Sequence, residues 1–265
     1  MFQGNAISHY RAVGGDGVFN PVSFANNVGY WNPLADASGV VNNQYLTKQG
    51  TNLVSNVKQQ HPTIGGDATL QGGANAPLWT DERFGTGKDA IFYNISALGD
   101  WLEVAHYPEI LFGPNDPWTF HIAFEFPSGH GGTQNDLLYK GVGAATAGLE
   151  FTFINEKLRI QIGDGTNRFF VETNDTYNDD TKHIAHIKKD TTADQDSISV
   201  VVDGSNVTMN TLVSATLTGN LGTTLMAFGA RNGGTFELDG YLGGVIIDNV
   251  VTNAARDANT QALLI

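Results

Sequence analysis

Aspartate and asparagine side chains concentrate in one loop of the sequence, at residues 174–180. Asp175, Asp179 and Asp180 belong to this loop, and Asp164 lies one predicted strand earlier. Calcium takes six to eight oxygen ligands from carboxylates, amide side chains and backbone carbonyls. These four aspartates are therefore candidate ligands for a calcium ion. The loop lacks the spacing and the central glycine of an EF-hand loop, so a solvated acidic turn is the alternative interpretation.

Aromatic side chains beside polar groups could form a second kind of site, one that binds a sugar ring. Such a site needs an exposed aromatic face with hydrogen-bonding side chains near it. Trp101 and Tyr177 are the candidate aromatic residues. Asp100, which precedes Trp101 at a turn, and His130, which lies in a glycine-rich loop, are the candidate polar residues. Burial in the core is the alternative for both aromatic side chains.

The sequence contains no complete catalytic motif. Glu237 and Asp239 open the Glu-x-Asp-x-x-Glu pattern of laminarinase-type glycosidases, but Leu242 occupies the position of the second glutamate. A retaining glycosidase needs two carboxyl groups about 5–5.5 Å apart, so the missing residue removes the acid/base group. The chain also lacks the Gly-x-Ser-x-Gly elbow of serine hydrolases. We therefore predict a protein that is not an enzyme.

Two histidines lie three residues apart in a predicted strand. His183 and His186 should point to opposite faces of that strand, so they cannot bind one ion together. We expect one of them to be buried and the other exposed. His121 belongs to the polar face of another predicted strand, where it could contact a ligand.

The charge balance limits the partners of the chain. Its 265 residues include 14 Lys and Arg against 27 Asp and Glu, for a net charge of -13. Binding to nucleic acid or to an anionic membrane needs clustered basic side chains, so neither partner is expected. The chain has no cysteine, which excludes disulfides and thiolate metal sites. We also expect no secretory signal, because the first residues lack a basic segment and a long apolar run.

The elements that must position these side chains are strands. In residues 119–126 the large apolar groups occupy every second position, which is the period of a strand with one buried face. The pattern places Phe120, Ile122, Phe124 and Phe126 on one face and Thr119, His121 and Glu125 on the other. Similar runs recur at short intervals with no helix between them. This spacing predicts an antiparallel sandwich or barrel.

Turn and cap residues refine this prediction. Asp203-Gly204 follows a run of valines and predicts a tight hairpin. A single short helix is predicted over residues 254–264, with Asn253 as its N-cap. Residues 1–30 are predicted to form an irregular arm, either packed on the main domain or serving as a tether. Residues 31–265 are predicted to form one domain.

The order of these segments resembles the laminin G-like branch of the concanavalin A-like lectin/glucanase superfamily. The resemblance covers roughly two thirds of the chain and rests on the sequence of pieces rather than on any one of them. The matching pieces are residues 90–104, 117–126, 137–141 and 182–187, the Val202-Asp203-Gly204 hairpin, and residues 236–249. The resemblance implies an all-β fold, an antiparallel jelly-roll β-sandwich, with the irregular N-terminal arm outside it.

Fold resemblance alone does not determine function, because this architecture serves lectins, glycosidases, adhesion modules and virion proteins. Lectin-like sandwiches usually act outside cells, whereas a chain without cysteine or signal is expected to be made in a cytosol. A virion protein satisfies both conditions, because it assembles in the host cytoplasm and leaves by lysis. We therefore expect a non-enzymatic structural and interaction protein on the virion surface, such as a bacteriophage capsid decoration (cement) protein or fibre module.

The expected partners are a major capsid or tail protein and further copies of the chain, with a trimer as the expected assembly. Two alternatives stay open. The first is a calcium-dependent carbohydrate-binding module with its ion near residues 174–180. The second is a glycoside hydrolase, which would require another acid/base residue near Glu237.

Overall fold

The computed structural model describes residues 24–33, 46–49, 53–57, 66–71, 77–85, 88–93, 101–128, 134–141, 146–231 and 238–265. Within these ranges the protein is almost entirely β-structure. The strands are β1 (Asn27–Trp31), β2 (Leu46–Gln49), β3 (Leu53–Val57), β4 (Ala68–Gln71), β5 (Leu78–Gly85), β6 (Lys88–Tyr93), β7 (Trp101–Val104), β8 (Trp118–Glu125), β9 (Asn135–Lys140), β10 (Ala147–Ile154), β11 (Lys157–Asp164), β12 (Arg168–Thr173), β13 (Lys182–Lys189), β14 (Ile198–Val202), β15 (Ser205–Asn206), β16 (Met209–Val213), β17 (Met226–Phe228) and β18 (Gly240–Asp248).

The strands form two antiparallel sheets. Sheet I has the order β15-β14-β13-β8-β18, and the far edge of β18 pairs with β1 along one half and with β6 along the other. Strand β5 extends this edge beside β6. Sheet II has the order β2-β3-β4-β7-β17-β9-β10-β11-β12-β16. Because every one of these pairs is antiparallel, the predicted all-β antiparallel class is confirmed.

The main core lies between the two sheets. Phe120 and Phe124 of β8 meet Phe151 and Phe153 of β10, with ring centroids 5.1 Å apart in both pairs. The predicted apolar face of residues 119–126 is therefore the face that packs on sheet II. Burying such large aromatic surfaces supplies most of the stabilisation that a chain without disulfides needs.

The outer face of sheet I is also buried, which the alternating pattern does not predict. Helix α1 (Ala254–Leu264) packs on this face, and Leu264 joins a second small cluster with Ala123, Ile184 and Ile246. The helix begins as predicted, because the side chain of Asn253 accepts a hydrogen bond from the backbone N–H of Arg256 at 2.9 Å. In the described ranges, no helix has the length and apolar character needed to cross a membrane.

Two tight turns connect neighbouring antiparallel strands, one in each sheet. Asp203 and Gly204 both have positive φ, 50° and 80°, as the predicted Asp-Gly hairpin requires. Asn155 and Glu156 have φ of 50° and 70° and join β10 to β11 in the same way. Strand β1 overlaps the end of the predicted arm and is paired with β18. Residues 1–23 lie outside the described ranges, so the predicted domain boundary stays a prediction.

Candidate binding face

The outer face of sheet II carries a row of side chains that runs across four neighbouring strands. The register places Tyr139 of β9 opposite Glu150 of β10, then Gln161 of β11, then Phe170 of β12. These positions alternate with core residues along each strand, so all four side chains point away from the core. Tyr139, Gln161 and Phe170 are partly exposed. We call this row the binding face.

A pair of buried carboxylates lies within this face. Asp136 and Glu150 are both almost fully buried. The side-chain amide of Gln134 donates to both of them, at 3.1 Å to Asp136 Oδ1 and 2.6 Å to Glu150 Oε1. The guanidinium of Arg231 also joins the pair, 3.3 Å from Asp136 Oδ2 and in a hydrogen bond with Glu150. One amide and one arginine therefore hold two adjacent acidic groups.

Burial and the neighbouring negative charge of Glu150 raise the pKa of Asp136 well above its ordinary value. A negative charge beside a buried carboxyl group disfavours the ionisation of that group, and low-dielectric surroundings strengthen this effect. Arg231 compensates part of the repulsion because its positive charge faces both groups. The pair resembles the acid and nucleophile of a glycosidase in composition, but both carboxyl groups are covered, whereas a catalytic pair must reach the glycosidic bond.

Aromatic rings and arginines form the accessible part of the face. The guanidinium of Arg231 lies over the ring of Tyr139 at 5.2 Å from its centroid. Arg168 lies over Phe170 at 4.9 Å. Each aromatic ring is thus held from one side by a cation, which limits its motion. Flat, partly exposed rings beside amide and guanidinium donors are the groups that bind sugar rings.

Trp101, predicted as a ligand-binding residue, lies on the same side of sheet II as Tyr139. Its strand, β7, pairs with β17, which in turn pairs with β9, and Glu103 is in register with Ala227 and Tyr139. Trp101 and Glu103 share a face because they are two residues apart. The indole Nε1 of Trp101 donates to Glu103 Oε1 at 2.8 Å, and the ring is partly exposed.

Of the other predicted ligand-binding residues, Tyr177 lies within the described ranges, and the structure places it in the core. Tyr177 is 5 % exposed, and its ring packs edge-on against Phe124 and His183 in the core. Burial raises the pKa of Tyr177 to about 12. Its ring therefore offers little surface to a ligand. Asp100 and His130 lie outside the described residues, as does Glu237, so their roles stay predictions.

The four aspartates predicted as calcium ligands are not brought together. Asp164 ends β11 and lies beside the start of β12, whereas Asp175, Asp179 and Asp180 follow the other end of β12. A strand of six residues separates these ends by roughly 20 Å. The oxygens around one calcium ion lie about 2.3–2.6 Å from it, so Asp164 cannot share an ion with the other three.

Asp164 instead joins two loops. Its Oδ1 accepts hydrogen bonds from the backbone N–H groups of Thr166 and Asn167, and its Oδ2 accepts those of Thr218 and Gly219. Desolvation opposes its ionisation, but these four backbone donors outweigh it and lower the pKa of Asp164 below the ordinary range. The carboxylate is therefore a structural link between the β11–β12 turn and residues 218–219.

The three aspartates of the acidic loop have separate contacts. Asp179 accepts from the backbone and hydroxyl of Thr181, and Asp180 accepts from the backbone and hydroxyl of Ser128. Asp175 is exposed. Calcium binding by this loop stays a prediction, with Oδ1 of Asp179 and both carboxylate oxygens of Asp180 already engaged in hydrogen bonds.

His183 occupies a position that resembles a catalytic histidine. Its Nε2 lies 2.9 Å from the hydroxyl of Thr181 and 3.0 Å from Asp179, and its Nδ1 lies 2.7 Å from Asp203. Burial disfavours its charge, but the hydrogen bonds to Asp203 and Asp179 outweigh burial and raise the pKa of His183. Two carboxylates therefore favour the charged ring, whereas a general base must be neutral. His183 therefore links the acidic loop, through Asp179, to the turn after β14, through Asp203.

The prediction that one histidine of β13 is exposed is wrong. His183 and His186 do face opposite sides of the strand, but both are buried, because α1 covers the outer face of sheet I. His121 is also fully buried rather than exposed on a polar face, and its Nδ1 lies 2.6 Å from Nδ1 of His186. Burial lowers the pKa of both rings, that of His186 to about 3, so both are neutral.

Comparisons with known proteins give a structural likeness only. No protein-family profile matches the chain, and no curated protein sequence matches it. The binding domain of Paraclostridial Mosquitocidal Protein 1 superposes with a TM-score of 0.59 at 14 % identity, over 79 % of this chain and 52 % of that chain. The binding domain of botulinum neurotoxin serotype G gives 0.59 at 8 % identity, over 90 % and 51 %.

A Trypanosoma rangeli sialidase also superposes, with a TM-score of 0.54 at 14 % identity, over 94 % of this chain and 34 % of the sialidase. The chain therefore spans about half the length of the toxin binding domains and a third of the enzyme. At identities this low, the superpositions show a likeness of fold alone. The two toxin structures are binding domains, and the enzyme is matched over only a third of its length.

Proposed function

We propose that this protein is a non-enzymatic recognition domain that binds glycans through the binding face of sheet II. The observation that carries the proposal is the arrangement of Tyr139, Gln161 and Phe170 in one exposed row above the buried pair of Asp136 and Glu150. Aromatic rings held by cations, next to amide donors, suit the apolar faces and hydroxyl groups of sugars. The likeness to binding domains of toxins supports the same class of function.

We further propose that the domain is displayed on the surface of a virus particle and is related to the laminin G-like branch of lectin-like sandwiches. A surface protein that assembles in a reducing cytosol must fold without disulfides, and this chain has no cysteine. Its stability comes instead from the aromatic core between the sheets. Only 15 % of its residues are charged, which suits lasting contacts with capsid or tail proteins and with other copies of the chain.

A glycan array probed with the labelled full chain tests the binding proposal. We expect Phe170→Ala and Tyr139→Ala each to lose about fivefold in apparent affinity, because stacking on an aromatic ring contributes roughly 1 kcal/mol. Phe92→Ala is the matched control: it removes a partly buried phenylalanine that packs on Tyr241, 4.8 Å away, in sheet I. Equal loss in all three variants, or an array without signal, would contradict the proposal.

The same array decides between the proposal and its calcium-dependent alternative. Binding through sheet II alone should be unchanged when calcium is replaced by a chelator. Loss of signal in the chelator, restored by calcium and abolished in Asp179→Asn, would favour the acidic loop as the site. Release of labelled sugar from bound oligosaccharides, abolished in Glu237→Gln, would instead favour a glycoside hydrolase.

Two observations test the virion proposal. A gene for a major capsid or tail protein next to the gene for this chain would support it. Sedimentation of the purified chain should show an assembly, with a trimer expected. A monomer with no affinity for capsid or tail proteins would contradict it.

A further inference from the structure

A buried polar cluster lies between helix α1 and the outer face of sheet I, away from the binding face. Its centre is the pair formed by His121 of β8 and His186 of β13, which are directly opposite each other in the strand register. Both residues are fully buried, and their Nδ1 atoms are 2.6 Å apart. Cross-strand neighbours on one face of a sheet have Cβ atoms about 4.5–5.5 Å apart, so two imidazoles there can point at one common atom.

The orientation of His121 is set by a carboxylate behind it. Its Nε2 lies 3.2 Å from Oδ2 of Asp248, and Asp248 is held by two hydrogen bonds from Arg256 at 2.9 and 3.0 Å. An ionised carboxylate accepts a hydrogen bond from the ring nitrogen that it faces, so the proton of neutral His121 is on Nε2. Its Nδ1 therefore presents a lone pair towards His186. Histidines that bind metals are oriented by carboxylates in this way.

Helix α1 supplies a third possible metal ligand to the cluster, the carboxylate of Asp257. One ligand atom from each of His121, His186 and Asp257 lies within 4.8 Å of the others. Two further polar atoms of the cluster's surroundings, Nε2 of His186 and Oγ1 of Thr260, are buried without a hydrogen-bond partner among the described residues. Thr260 follows Asp257 by three residues, so both lie on the same side of the helix. A buried polar atom without a partner costs roughly 1–3 kcal/mol, and an ion bound to Nε2 of His186 would remove that cost.

We propose that His121, His186 and Asp257 bind a divalent transition-metal ion, with Zn²⁺ as the best fit, which fastens helix α1 to sheet I. Two imidazole nitrogens and one carboxylate form a ligand set suited to Zn²⁺, whereas calcium takes oxygen ligands only. In a tetrahedral Zn²⁺ site with Zn–N bonds of about 2.0–2.1 Å, two ligand nitrogens lie about 3.3 Å apart, so the two Nδ1 atoms would have to separate by roughly 0.7 Å if both bind the ion. A rotation of the imidazole rings provides that distance.

Lys188 competes with the ion for Asp257. Its ammonium donates to Asp257 Oδ2 at 2.5 Å and to the carbonyl of Thr252 at 2.9 Å. Without metal, Lys188 and Arg256 balance the charges of Asp257 and Asp248. A bound cation must displace the ammonium from Asp257 or share the carboxylate with it. Lys188→Met should therefore tighten metal binding, whereas a cluster that serves only packing gives no reason for metal affinity to rise.

The experiment titrates the metal-free full chain with Zn²⁺ and, for its visible spectrum, with Co²⁺. We expect one ion per chain, a higher Tm with Zn²⁺, and Co²⁺ absorption bands typical of nitrogen and oxygen ligands. His186→Asn should weaken binding at least tenfold. His183→Asn is the matched control, because His183 is a buried histidine on the same strand but on its opposite face; this variant should bind as the wild type does.

Wild-type protein that binds no ion at a tenfold molar excess of either metal overturns the proposal. Undiminished binding in His186→Asn overturns it as well. If His186→Asn does not fold, X-ray absorption spectroscopy of the Zn²⁺-loaded wild type decides the question. Two imidazole ligands are expected there, and fewer than two would refute the site.

Discussion

Asp136 and Glu150 lie on adjacent strands with their carboxylates held by the same two side chains, the amide of Gln134 and the guanidinium of Arg231. Solvent does not reach either carboxylate, since both are almost fully buried. The pair thus depends on Arg231 for charge balance, and Arg231 in turn supports the ring of Tyr139. Stability and the shape of the binding face are linked through this arginine.

Removing Arg231 should destabilise the fold strongly. In Arg231→Gln two buried acidic groups lose their only described cation, and breaking a buried ion pair typically costs about 3–5 kcal/mol. The measurement is the free energy of unfolding in urea at pH 7. Arg168→Gln, which removes an exposed arginine over Phe170 on the same face, should change it by less than about 0.5 kcal/mol. Similar values for the two variants would show that the buried pair does not need its arginine.

Asp136 should make the fold less stable as pH rises. Its pKa is raised in the folded state by burial and by Glu150, so the native protein holds this proton more tightly than the unfolded chain does. The free energy of unfolding must therefore decrease as pH rises from about 4, the unfolded value, through the folded pKa. Asp136→Asn removes this dependence. Unfolding curves at pH 4 to 7 should show a flatter profile for the variant, and parallel profiles would contradict the assignment.

The contribution of Asp164 to stability should depend on pH in the opposite direction to that of Asp136. Four backbone N–H groups bind its charged form, so its pKa is lowered on folding. Its contribution is present above the unfolded value near 4 and is lost as pH falls through the folded pKa. Asp164→Asn should cost about 2 kcal/mol at pH 7 and much less in acid. Asp175→Asn, measured in chelator, is the exposed control and should cost less than about 0.5 kcal/mol.

Gly148 allows β9 and β10 to pair closely. A Cβ atom at this position would lie 1.6 Å from the carbonyl oxygen of Lys140, a backbone atom that cannot move without separating the strands. Gly148→Ala should therefore lower the free energy of unfolding by about 2 kcal/mol or more. Gly66→Ala, where no atom of the described residues beyond its chain neighbours lies within 4 Å of the added methyl, should be nearly neutral. Equal Tm values for the two variants would show that the strands adjust without cost.

Local features of the sequence predict most of the elements. The alternation in residues 119–126, the Asp203-Gly204 turn and the Asn253 cap act over a few residues, and each is present in the structure. Strand pairing depends on contacts between distant segments instead. The pairing of His121 with His186 could not be predicted, because nothing in either strand specifies the register between them.

The carboxylate pair was missed for a related reason. Asp136 and Tyr139 are three residues apart, so simple alternation places them on opposite faces of a strand. A β-bulge between Phe151 and Thr152 shifts the register, so Leu137 is the extra residue and both polar side chains reach the outer face. Burial of His121 was missed because the pattern of its own strand does not show that α1 covers it.

The position of helix α1 restricts how several copies of this domain can be mounted side by side. The helix occupies the outer side of sheet I, so the two broad sides of the sandwich are not equivalent: one is closed by the helix and the other presents aromatic rings. If many copies are mounted on a particle to recognise sugars, each must be anchored with its helical side inward. The orientation of every copy relative to the shell is then determined by the domain itself.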